Sequence, residues 1–146
     1  MYNILMAFFF INRKVDPKPL LGNAKILNIE FNTAICLRNL EEATYILPRL
    51  MENMIKYTVA LKGGSPSKGI HLEVHLPFLT DRVEEGDDVK RRQDSIKEAF
   101  GLYEEMSKYR FSYLGEANPS IDIIKLLNNY KSFVGCLEVY IGERIF

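Results

Sequence analysis

Ile26-Leu27-Asn28-Ile29-Glu30-Phe31-Asn32-Thr33-Ala34-Ile35-Cys36-Leu37 is the run on which the fold reading turns. Leu27, Ile29, Phe31, Ile35 and Leu37 share one side of a two-residue alternation, and Asn28, Glu30 and Asn32 take the other. Successive side chains of a strand point to opposite faces, so the pattern predicts a half-buried β-strand that breaks near Asn32-Thr33.

The same alternation recurs in Ile70-His71-Leu72-Glu73-Val74-His75-Leu76, closed by Pro77, and it too reads as a strand. A long strand is expected from Phe133 to Ile145, with Phe133, Leu137, Val139 and Ile141 on one face. Met1 to Ile11 is the most apolar segment. It is about half the ~20 residues of a membrane span, and it lacks the basic start and cleavage site of a signal peptide. A buried strand is expected there, and Arg110 to Leu114 reads as a short strand or an extended connection.

Three helices are expected between these strands. Asn39-Leu40-Glu41-Glu42 has the form of a capping box, and Leu40, Ala43, Leu47, Leu50, Met51, Met54, Ile55 and Leu61 follow at helical spacing. Pro48 is expected to kink or divide that helix, and Gly63-Gly64 to end it. A second helix begins near Asp87-Asp88, with Val89, Ile96, Ala99, Phe100, Tyr103 and Met106 as its apolar stripe. A third starts at Asn118-Pro119. Asp16-Pro17-Lys18-Pro19 with Gly22-Asn23 reads as a loop. The chain is therefore expected to be a single compact α+β domain over residues 1–146. Its architecture would be a two-layer sandwich, with a mixed, mostly antiparallel sheet of four to five strands and about three helices on one face.

Composition narrows the function classes. Nineteen basic and nineteen acidic side chains cancel, so no global field favours nucleic acid or an anionic membrane. Cys36 and Cys136 have apolar neighbours and no zinc-type spacing, and are expected to be buried, reduced thiols of a cytosolic protein. No cofactor is expected.

The chemistry-bearing candidates are few. On a strand His71, Glu73 and His75 would leave one face and could serve as proton-transfer groups. The two histidines would stand about 13 Å apart, too far to share one metal ion. Glu30 or Glu138 from neighbouring strands would have to complete a site. Lys62 to Gly69 lacks the Gly-Lys-Ser/Thr ending of a phosphate-binding loop and reads as a connector. Lys90, Arg91, Arg92 and Arg110 could bind phosphate groups, although acids lie just upstream of the triplet.

The leading expectation is a small binding, assembly or regulatory module acting through an exposed polar sheet face or a strand edge. Eight tyrosines and no tryptophan suit such contacts. A homo-oligomer or a protein partner is expected, and a small ligand is compatible. The alternatives are an acid–base hydrolase or isomerase using His71, Glu73 and His75, and a nucleotide or nucleic-acid binder using Lys90 to Arg92 and Arg110.

Overall fold

The computed structural model describes residues 15–69, 71–83, 88–109 and 122–146. Among them are five α-helices and no strand: α1 (Lys18–Cys36), α2 (Leu40–Leu61), α3 (Leu76–Asp81), α4 (Val89–Ser107) and α5 (Ile123–Ile141). A 3-10 turn at Leu72–His75 leads into α3.

This overturns the expected α+β sandwich and its sheet. Ile26 to Leu37 is the second half of α1 and its cap, because the apolar pattern that counts begins earlier. Leu20, Ala24, Leu27, Phe31, Ala34 and Ile35 recur at three- and four-residue steps and pack into or against the core. The polar residues in between close bonds within the helix. Asn32 Nδ2 donates to the Asn28 carbonyl at 2.8 Å, and Thr33 Oγ1 to the Ile29 carbonyl at 2.8 Å. Pro17 and Pro19 begin α1 rather than a loop, and Gly22-Asn23 lies inside it. Similarly, Phe133 to Ile141 continues α5, whose buried stripe is Leu126, Tyr130, Phe133, Leu137 and Tyr140. The strands expected at 1–11 and 110–114, and the helix start at 118–119, lie outside the described residues.

The locally encoded features of α2 and α4 match expectation. Asn39 caps α2 by accepting from the Glu42 amide at 3.1 Å. Gly63 (φ +86°) closes it, with its own amide on the Ala60 carbonyl and the Gly64 amide on Val59. Pro48 does not divide the helix. It removes one amide donor, and Arg49 Nη1 supplies a side-chain bond nearby, to the Tyr45 carbonyl at 2.6 Å. Ile96, Ala99, Phe100, Tyr103 and Met106 form the inner stripe of α4.

The helices pack as two hairpins, α1–α2 and α4–α5, around α2. Lys125 Nζ lies 3.8 Å from Glu105, and Arg92 approaches Gly142, so α4 and α5 run antiparallel. Across the hairpins Phe31 meets Tyr130 edge to face at 5.0 Å, and the Tyr130 hydroxyl donates to Asn28 Oδ1 at 2.5 Å. The buried Tyr140 hydroxyl donates to the Leu79 carbonyl at 2.5 Å, fastening α3 to α5. Burial pushes that phenol up to about 12, against the opposing pull of Arg92 and Arg82. Tyr140→Phe is expected to lose about 0.5–1.5 kcal/mol in urea denaturation, the net worth of one hydrogen bond, because the Leu79 carbonyl keeps the Arg82 amide at 3.3 Å.

Candidate docking surface

The expected catalytic trio is split by the 3-10 turn. His71 and Glu73 are exposed, with His71 Nδ1 3.6 Å from Glu73 Oε1. His75 turns inward instead, and its Nε2 accepts the Ser67 amide at 3.0 Å. An accepting Nε2 carries no proton, so the imidazole is neutral. Its pKa is lowered by burial first and by the Lys56 ammonium second. His75 thus fastens the connector after α2 at Ser67 and is turned away from its two neighbours. Among the described residues no group of three or more His, Cys, Asp or Glu could hold a metal ion.

The basic candidates lie at the start of α4. Arg91 and Arg92 line a groove of about 540 Å³ together with Glu138 and Arg144. Carboxylates interleave with the arginines there. Asp88 and Glu143 share the lining, Arg91 lies 3.9 Å from Asp88, and Glu138 Oε2 accepts the Ile145 amide at 2.9 Å. Lys90 projects to an adjoining face with Asp94 and Glu98. Three arginines and three carboxylates thus share the groove lining, so its positive charge is balanced. Arg110 lies outside the described residues.

Glu30 leads to the feature that alternation concealed. At 3.6 residues per turn, Phe31 stands within about 20° of buried Ala24 around the α1 axis, whereas Ile26 and Ile29 stand about 200° and about 140° away. Accordingly Ile26 is 57% exposed, Ile29 67% and Leu37 74%. They belong to one outer stripe, Gly22, Ile26, Ile29, Thr33 and Cys36, at steps of four and three residues, with Leu37 at its end. All of these positions are exposed.

Cys36 is thus a free thiol at the surface rather than in the core, and Cys136 is half-buried. Burial, with Glu98 beside it, pushes the Cys136 thiol up to about 11. Lys25 flanks the stripe on one side and Glu30 on the other, both exposed. The Thr33 hydroxyl is already bonded within the helix, so covering it leaves no polar group stranded. Val74 and Ile124 are also exposed, but neither continues a stripe of this kind. Among the described residues no helix is long and apolar enough to cross a membrane.

No protein-family model, curated protein or solved structure matches the chain.

The His75 geometry gives a pH dependence of stability. The unfolded chain protonates His75 more readily than the folded one. The contribution of its neutral form is therefore complete above about pH 6.5 and is lost as the pH falls below that toward the depressed folded value. Stability measured by denaturant titration should decline over that window, and His75→Gln, which keeps an acceptor, should flatten the decline.

Proposed function

We propose that the chain is a small helical binding and assembly module whose working surface is the outer stripe of α1. The surface receives an amphipathic helix with apolar residues at the same four- and three-residue steps. One observation carries this reading: α1 is packed on its inner side yet keeps Ile26 and Ile29 largely in water on the other. A helix with one apolar face satisfies the core, and a second apolar face adds nothing to it. Covering an isoleucine recovers about 1.5–3 kcal/mol, part of which offsets the lost freedom of the two bodies. Helix-in-groove and helix-on-helix recognition use this spacing of anchors. The exposed sheet face or strand edge first expected as the working surface is replaced by this helical one.

A synthetic peptide of three heptads, with isoleucine at its a and d positions and lysine and glutamate on the flanks, probes the surface by fluorescence anisotropy. Saturable binding is expected in the micromolar range. Ile26→Glu combined with Ile29→Glu should weaken it at least tenfold with unchanged helical circular dichroism. Failure of the peptide to bind the wild-type chain, or equal binding by the double variant, would remove the reading.

A further inference from the structure

The charges beside the stripe select an occupant. Steps of four and three residues assign Gly22, Ile29 and Cys36 to d positions of a heptad and Ile26 and Thr33 to a positions. Lys25 then takes a g position and Glu30 the following e position, five residues on. When two such helices pair in parallel, each g residue meets the e residue five positions later in the partner, so Lys25 meets Glu30 twice across the two-fold axis. Antiparallel pairing matches g with g and e with e, so no antiparallel register brings Lys25 to Glu30 and both attractions are lost. Among the described residues neither group forms an ion pair within the chain. Resting on the docking role of α1, we propose that the partner helix is α1 of a second copy, paired in parallel about a two-fold axis.

Gly22 fits this arrangement. Glycine inside a helix is less stable than alanine, and a Cβ at Gly22 would meet nothing within 4 Å inside the chain. The space is therefore not needed by this copy, and a bare backbone at a d position lets a second helix approach closely. Next along the seam come Ile26 and Ile29, then Thr33 with its hydroxyl already bonded, then Cys36. Such an interface is isologous, so it closes at two copies and leaves no open edge for further growth.

Cys36 makes the orientation readable. In the parallel pair the two Cys36 thiols face each other. In an antiparallel pair centred on Ile29 they would lie about 21 Å apart along the axis. The intact chain is examined by sedimentation and with a bismaleimide of about 8 Å reach, at neutral pH where the Cys136 thiol is protonated. We expect a concentration-dependent dimer and a covalent dimer that Cys36→Ser abolishes and Cys136→Ser retains. Ile29→Glu should raise the dissociation constant at least tenfold. Lys25→Glu alone should weaken the pair, and Lys25→Glu with Glu30→Lys should restore it.

A dimer that the reagent does not join through Cys36 overturns the parallel pairing. A wild-type monomer at all concentrations, with Ile29→Glu equally stable, overturns self-pairing, while peptide binding would still uphold the docking role. A monomer whose melting temperature falls on Ile29→Glu overturns it as well, since the apolar segment 1–11 of the same chain would then cover the stripe.

Discussion

Helix α2 is buried along most of its length, and α1, α4 and α5 all pack against it. Leu47, Leu50, Met51, Met54 and Ile55 are fully enclosed, and buried residues continue around the helix through Tyr57, Val59 and Ala60. A helix with so wide an apolar face needs neighbours on more than one side. The α1 hairpin supplies one wall and the α4–α5 hairpin another. The few polar groups inside are tied off locally. Thr44 and Thr58 bond back to Leu40 and Met54, and Glu52 meets Lys56 at 3.2 Å. Gly64 shows how tight the covering is, because a Cβ there would come 2.8 Å from the Phe78 ring.

This constraint explains the double character of α1. Its inner face is fixed by α2 and, through Phe31 and Asn28, by Tyr130 of α5. The outer face is left with no described element to cover it, yet it repeats apolar residues at coiled-coil spacing. Ordinary surface helices carry charge there. An apolar stripe between a lysine and a glutamate matches the composition of a coiled-coil seam, which is what the proposed docking role rests on.

Capping was legible in the sequence because it is local: Asn39 with Glu42, and Gly63 with Gly64, act within a few residues. The inner stripes of α2 and α4 were legible because no rival period competes with them. In α1, apolar residues sit on two opposite faces, so Ile29 from the outer stripe and Phe31 from the inner one line up as a false alternation. The helical period appears only when the window reaches back to Leu20 and Ala24. The same crowding hid the candidate surface, since Ile29 was assigned to the core face along with Phe31. The strand expected over His71, Glu73 and His75 failed for a related reason. Within α3, Pro77 occupies an opening position of the helix, where its missing donor is harmless, so it starts a helix rather than ending a strand. Arg91, Arg92 and Glu138 do converge, but their convergence depends on α4 and α5 lying antiparallel, which no local pattern encodes.

The two faces of α1 are the central claim, and alanine replacement on each separates them most directly. Ile29 and Phe31 would share a face on a strand and oppose each other on the helix. In denaturant titrations at concentrations where the chain is monomeric, Phe31→Ala should lose about 3–5 kcal/mol as a buried cavity forms. Ile29→Ala should stay within about 0.5 kcal/mol of wild type, as exposed positions do. Comparable losses at both positions would contradict the helix orientation and the seam built on it.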